Sequence, residues 1–203
     1  YGNTKYKRGI MIAIIDYNAG NTRSVINALQ RLGANPVLTA DPEVILSADK
    51  VILPGVGHAA TAMEALHERN LVDTIKAVKV PFLGVCLGMQ IMLEFSEEGD
   101  VACLGLVPGT VTKFKSETEK IPHMGWNTVI PTDDALMKGI DDHAYFYFVH
   151  SYYVPKDQYT IAETSYILPF CAAMRKDHYW GVQFHPEKSA SVGEKLLQNF
   201  LNI

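Results

Sequence analysis

Cysteine is scarce in this chain: three residues, at positions 86, 103 and 171, in a sequence of 203. The number is odd and no Cys-x-x-Cys pair occurs, which argues against a disulfide framework and a thiolate zinc site and points to a reducing compartment. Neither sign of charge is in large excess. The 18 Lys and Arg against 22 Asp and Glu leave −4, and the basic residues are scattered. The electrostatic footprint of a nucleic-acid or membrane-surface binder is missing, so no nucleic acid and no membrane is expected as partner, and small polar ligands fit better. Long hydrophobic runs are missing too: Ile10 to Ile15 is six residues and ends at Asp16, too short for a spanning helix or a signal-peptide core. A cytoplasmic protein is the expectation. Outside positions 150 and 185 the histidines, at 58, 67, 123, 143 and 178, show no metal-ligand spacing, so no metal site is expected and surface or core roles are the default.

What is present is an ordinary globular composition, 48% hydrophobic and 20% charged, enough for one sizeable core. No repeat, low-complexity segment or linker divides it, so residues 11–203 are expected to form a single domain. Residues 1–10, polar except at the end, read as an added or disordered extension before Met11, which stands immediately ahead of a strand pattern.

The first half repeats one plan. The apolar run Ile10 to Ile15 leads through a polar turn to Val25, Ile26, Leu29 and Leu32 at helical spacing, closed by Gly33. The plan recurs at Lys50-Val-Ile-Leu-Pro54, which passes through Gly55-Val-Gly57 into a helical pattern carrying Met63 and Leu66 and continued by Leu71 and Ile75, and again at Pro81-Phe-Leu-Gly-Val85. Apolar strands alternating with amphipathic helices predict a parallel sheet covered on both faces, with ligands at the carboxyl ends of its strands. From about residue 101 short Val-, Phe-, Tyr- and Thr-rich runs predict strands over 107–114, 121–130, 144–154, 160–166, 171–176 and 179–184, an antiparallel extension of the same domain. The cluster Tyr145-Phe-Tyr-Phe148 reads as core packing, and Ser191 with Glu194 as a capping box for a closing helix.

The most informative segment is Gly84-Val-Cys-Leu-Gly88, an apolar strand running straight into the helical pattern Met89, Ile91, Met92, Leu93. Gly-x-Cys-x-Gly is the cysteine form of a nucleophile elbow: the nucleophile sits on a strained strand-to-helix turn, and the flanking glycines let the crossing chains approach. A thiol there also meets the unpaired N–H groups and positive dipole end of a helix, which favour the thiolate. Cys103 and Cys171 lack the pair of flanking glycines and read as buried without chemistry. A thiolate that attacks an amide needs a proton donor for the departing nitrogen. His185 stands out because Gly181-Val-Gln-Phe184 is a strand and His185-Pro-Glu187 follows at its end, where Glu187 can orient the imidazole. On its own His-Pro-Glu is also compatible with an ordinary turn; the elbow is what lifts it above that reading.

Gly84-Val-Cys-Leu-Gly-Met-Gln90 and Gly181-Val-Gln-Phe-His-Pro-Glu187 resemble the two signatures of class I (triad) glutamine amidotransferases. Asp16-Tyr-Asn-Ala-Gly-Asn21, Pro122-His-Met-Gly-Trp-Asn127 and Lys188-Ser189 narrow the resemblance to the glutaminase subunits of imidazole glycerol phosphate synthases, over residues 11–203. The resemblance implies a three-layer, flavodoxin-like α/β fold with a largely parallel central sheet and an antiparallel extension. It implies L-glutamine as substrate, Cys86, His185 and Glu187 as catalytic residues, and an oxyanion hole from Leu87 with Val56 and Gly57. Gly55, Gln90, His150, Ser151 and Tyr152 are implied to bind glutamine. Asn18, Asn21, Met124, Trp126 and Lys188 are implied to face a cyclase subunit with a (β/α)8 barrel, the other half of a heterodimer in histidine biosynthesis. No cofactor is implied. Asn18 departs from the pattern, since many members of the family carry Gly there, so a stiffer loop or a different partner contact is expected. Pro122-His-Met-Gly-Trp-Asn127 and Lys188 speak against the amidotransferases of anthranilate, purine or pyridoxal phosphate synthesis. The complete set of three catalytic residues disfavours a non-catalytic binding module, which labelling by a glutamine-analogue electrophile would decide.

Overall fold

The computed structural model describes residues 9–203; the extension expected over 1–10 lies almost wholly outside the described residues. The chain runs β1 (Met11–Ile15), α1 (Arg23–Arg31), β2 (Asn35–Thr39), α2 (Pro42–Ser47), β3 (Lys50–Leu53), α3 (Ala59–Glu68), α4 (Val72–Ala77), β4 (Phe82–Val85) and α5 (Leu87–Gln90). It continues through β5 (Phe95–Ser96), β6 (Val101–Ala102), β7 (Thr110–Lys113), β8 (His123–Pro131), β9 (Ala144–His150), β10 (Tyr152–Tyr153), β11 (Thr160–Tyr166), β12 (Leu168–Lys176), β13 (Tyr179–Val182) and α6 (Ala190–Asn202).

A nine-stranded sheet has the order β2-β1-β3-β4-β13-β12-β11-β8-β9. Its first five strands pair in parallel and the pairings from β13 onward are antiparallel, so the expected parallel sheet and antiparallel extension are one continuous surface. β3, β4 and β13 are buried at every residue, which is why, Lys50 at the start of β3 apart, they read as apolar runs without polar alternation. Alternate residues feed two cores: Ala13, Ile15, Val51 and Leu53 pack with α2, α3 and α4, whereas Ile12, Ile14, Ile52 and Leu83 pack with α1 and α6. This is a helix-sheet-helix sandwich. A small second sheet has the order β10-β7-β5-β6; β7 and β10 fall within the strands expected over 107–114 and 144–154, whereas the two-residue β5 and β6 were not read from the sequence.

Several local expectations need correction. Asn35-Pro-Val-Leu-Thr39 forms β2, unread because of Pro36; the strand lies at the sheet edge, where a missing N–H is tolerated. The helical pattern carrying Met63, Leu66, Leu71 and Ile75 is split into α3 and α4, because Asn70 takes the left-handed conformation with φ 54° and ends the first helix. The helix after Cys86 is a single turn. The carbonyls of Ile91, Met92 and Leu93 accept from Leu104, Leu106, Val107 and Gly105 rather than from a next helical turn, so tertiary contacts end α5 although the side chains beyond it stay apolar. Ser189, not Ser191, sits at the N-cap of α6, and its hydroxyl bonds His185 O at 2.5 Å and receives Tyr147 N–H at 3.0 Å, so it ties the turn after β13 to β9. In Tyr145-Phe-Tyr-Phe148 only the two phenylalanines are core; strand alternation turns Tyr145 outward.

Candidate active site

β4 and β13 are parallel neighbours with Val85 opposite Val182, so the chain leaves both strands at the same carboxyl edge. Cys86 follows the first and His185 the second. Cys86 has φ 54° and ψ −111°, a strained conformation for a residue with a side chain, and its N–H is held by Val182 O at 2.8 Å. The glycines on either side are required by contact rather than by flexibility. A Cβ at Gly88 would strike the Leu53 carbonyl, and one at Gly84 would strike the Met92 sulfur and the Gly88 carbonyl. β3 therefore crosses directly over the start of α5, and Pro54 to Gly57 emerges beside Cys86.

The side chains of His185 and Glu187 are both buried, joined by Nδ1 to Oε1 at 2.7 Å across Pro186. Burial alone would lower the His185 pKa; the nearby Cys86 and the hydrogen-bonded, charged Glu187 outweigh it and raise the value to about 10. Nε2 of His185 is buried and completes no hydrogen bond, so Cys86 acts on it by proximity while the contact itself stays open. Cys103 and Cys171 differ in kind: burial pushes their thiols up to about 11 and about 12. All three cysteines are free.

A cavity of about 190 Å³ opens at Cys86, lined among others by Val56, Leu87, Gln90, Glu98, His150 to Tyr152 and His185. The structure thus brings together eight of the residues singled out in sequence, Cys86, His185, Leu87, Val56, Gly57, Gln90, Ser151 and Tyr152, with His150 as the ninth. Gly55 is packed under the hydroxyl of Tyr17 and against Gly88 and does not line this cavity. Leu87 is the first residue of α5, where N–H groups lack intrahelical partners. The N–H of Val56 is instead engaged by Ala19 O at 3.4 Å, a long bond, and Gly57 has φ 108°.

Two residues escaped the sequence reading. Glu98 lines the cavity and accepts from Ala59 N–H at 2.7 Å; burial raises its pKa, against the Ala59 hydrogen bond and the charge of His58. A lone glutamate in a short surface turn carries no signal, since the strands β5 and β6 that place it are two residues each. His123 is buried and donates or accepts through Nδ1 to His150 Nε2 at 2.9 Å, where surface or core had been the default; burial lowers His123 to about 4 and His150 to about 3. Both rings are therefore neutral at neutral pH.

The residues expected at a partner surface are mostly exposed. Met124 and Trp126 are 64% and 52% exposed, which removes the alternative that Trp126 is core, and Tyr145 joins them at 60%. Lys188 is exposed and, among the described residues, forms no ion pair. Asn18 is exposed with φ 62°, in the left-handed region that glycine adopts freely and that asparagine tolerates better than most side chains, so the Gly expected there by resemblance and the Asn present suit the same backbone. Asn21 departs partly from expectation, because with Val56 it also lines a small cavity against His185 and Glu187. Among the described residues no group of three His, Cys, Asp or Glu is placed to hold a metal ion, and no helix is long and apolar enough to cross a membrane.

Residues 13–203 match the family described as glutamine amidotransferase class-I. The chain belongs to the class I glutamine amidotransferases. It is 52% identical to the imidazole glycerol phosphate synthase subunit HisH of Bacteroides fragilis over 194 residues, 95% of this chain and 99% of that one. The HisH subunit of Escherichia coli K12 is 48% identical with the same coverage, so within the amidotransferases the chain falls in the HisH family. Among solved structures, PurLQS from Thermotoga maritima superposes with a TM-score of 0.71 at 18% identity, covering 96% of this chain and 98% of that one. A structure described as a glutamine amidotransferase gives 0.70 at 17%, with 94% and 97% covered. At that identity the two structures speak for the amidotransferase fold alone.

Proposed function

We propose that this amidotransferase is the glutaminase subunit of an imidazole glycerol phosphate synthase, hydrolysing L-glutamine and passing ammonia to a cyclase subunit. The observation that carries the reading is Cys86 on its strained turn beside His185, whose far ring nitrogen is bonded to Glu187. The Cys86 thiolate attacks the carboxamide carbon of glutamine. The oxyanion that forms is held by Leu87 N–H and by a second donor from Val56 or Gly57. Breaking the long Val56 bond to Ala19 frees that donor, and the glycines of the loop permit the peptide to turn, so activation by the partner has a physical handle. His185, protonated, gives its proton to the departing nitrogen; ammonia leaves and a thioester remains. The neutral imidazole then takes a proton from water, whose attack releases glutamate and regenerates the thiol. Glu98 is the one carboxylate on the cavity wall and suits the substrate's α-ammonium, while Ser151 and Tyr152 suit its carboxylate.

Ammonia that escapes into water is protonated and ceases to be a nucleophile, so a partner closed over the edge with Asn18, Met124, Trp126 and Lys188 makes chemical sense. A (β/α)8-barrel cyclase is the partner that the HisH relatives favour. Glutamine turnover with and without that cyclase tests the whole reading: strong stimulation by the cyclase supports it, and none in any context returns the chain to a binding module.

Two further outcomes are expected. Turnover should follow a bell-shaped pH profile, falling on the alkaline side as His185 loses its raised proton near about 10, and Glu187→Gln should move that limb to lower pH because a cause of the raised value is weakened. A limb that stays in place in the variant counts against the pairing. Lys188→Ala should leave Cys86 reactive toward a small electrophile yet weaken the cyclase's stimulation; a buried partner carboxylate left unpaired costs about 2 kcal/mol or more. Titration with the cyclase at two salt concentrations reads this directly, and unchanged affinity and stimulation would make Lys188 an ordinary surface charge.

A further inference from the structure

Gln183 follows β13 and is fully buried, with its N–H held by Ala172 O at 2.8 Å. Neither the catalytic chemistry nor substrate binding as described above uses it. Its side-chain amide lies between Gln90 Nε2, at 2.9 Å, and the sulfur of Cys86, at 3.8 Å. Which end of that amide faces the sulfur follows from the hydrogen bonds around it, because backbone carbonyls only accept.

Tyr152 O receives Gln90 at 2.9 Å and His150 Nδ1 at 2.7 Å, so the Gln90 atom there is the NH2 group and Nδ1 of His150 carries a proton. With the Gln90 nitrogen placed, the Gln183 atom facing it must be the oxygen, and its NH2 is left to the sulfur. The far end fixes the two histidine rings, which meet Gln90 only at the shared Tyr152 carbonyl. Asn127 donates to Ser165 O at 3.0 Å, so its NH2 is the group that meets His123 Nε2 at 3.2 Å, and His123 donates from Nδ1 to His150 Nε2 at 2.9 Å. The two arms therefore converge on the Tyr152 carbonyl, which holds the Gln90 amide in place, and every side chain in them is uncharged.

We propose that Gln183 is a positioning residue for the nucleophile, an amide donor held toward the Cys86 sulfur by Gln90, whose own amide is fixed on the Tyr152 carbonyl that also receives His150, and that this donor favours thiolate and fixes its aim. This rests on Cys86 being the nucleophile. A donor on an anionic sulfur is a charge-assisted hydrogen bond, stronger than the same bond to a neutral thiol, so it shifts the balance toward the anion. The ionisable groups around that sulfur are His185 and Glu187 after β13, Tyr17 after β1, His150 at the end of β9 and Glu98 across the cavity. Of these only His185 carries a positive charge; Gln183 adds a second donor without a second cation, so His185 keeps its proton free for the leaving nitrogen.

The test uses the full chain and alkylation of Cys86 by iodoacetamide, followed by peptide mass spectrometry across a range of pH. Gln183→Met keeps the volume and loses the donor; its alkylation rate at neutral pH should fall about tenfold, the scale of one charge-assisted hydrogen bond, with the profile displaced to higher pH. Gln183→Glu keeps the shape and the bond from Gln90 but faces the sulfur with an acceptor, so it should be slower still, an order that mere filling of space does not produce. In the cyclase complex kcat for glutamine should fall while KM holds. In the parent chain, the side-chain NH2 resonance of Gln183 should shift when Cys86 is alkylated, a readout independent of whether either variant folds. An unmoved resonance, or a Gln183→Met profile that overlays the parent's with an unchanged unfolding midpoint, overturns the proposal. If the parent's Cys86 alkylates no faster than Cys103, the nucleophile assignment itself fails, and the two failures are told apart.

Discussion

Cys86→Ala is expected to lower glutamine turnover by at least about 10⁴-fold while leaving fold and cyclase binding intact. The loss is of a nucleophile: the side chain is small, and its removal opens little volume beside a cavity that already exists. The strained turn at φ 54° survives the substitution, because the glycine contacts under β3 and the bond from Cys86 N–H to Val182 O hold the backbone, not the sulfur. Ammonium salts should therefore still drive the cyclase half of the reaction in the mutant complex, which separates a lost nucleophile from a lost subunit. Retained glutamine-dependent synthesis would remove Cys86 from the mechanism.

Gly88→Ala should be among the most damaging single methyls at the described glycines. The added carbon points into the Leu53 carbonyl, with Pro54 O also close at 3.2 Å, and backbone cannot swing aside as a flexible side chain does. Overpacking of this kind costs roughly 1–3 kcal/mol, and a contact with two backbone carbonyls puts it at the upper end. Relief requires β3 to part from α5, which displaces Gly55 to Gly57 and with it the second oxyanion donor. A lower unfolding midpoint together with loss of turnover is expected. A variant as stable and as active as the parent would show that the crossing of β3 over the elbow has room that the structure does not give it.

The two outcomes divide along the line between what a linear pattern reveals and what it does not. Cys86 was legible because a nucleophile elbow needs glycine two residues to each side, a local requirement written locally. His185 and Glu187 were legible because Pro186 ends a strand and puts an acidic residue within reach of the ring. The parallel core was legible because strands buried on both faces have no polar residues to alternate. Glu98 and Gln183 were not legible: one is carried by a turn between two-residue strands, and the other sits in a strand-end segment as an ordinary amide whose meaning is the direction of its donor. His123 was read as surface or core because its partner His150 is 27 residues away and the contact is made only when β8 and β9 pair in register, with His123 opposite His150.

The sequence by itself therefore determined the class of chemistry, the alternation of strands and helices, and the two turns that present thiol and imidazole, since each depends on residue types within one strand or turn and its neighbours. The tertiary structure decided which strands lie side by side, where α5 stops, how Val56 N–H is engaged by Ala19 O, and which way a buried amide points at the sulfur. Those are contacts between segments distant along the chain, selected by close packing and by the requirement that every buried polar group find a partner, and no local pattern records them.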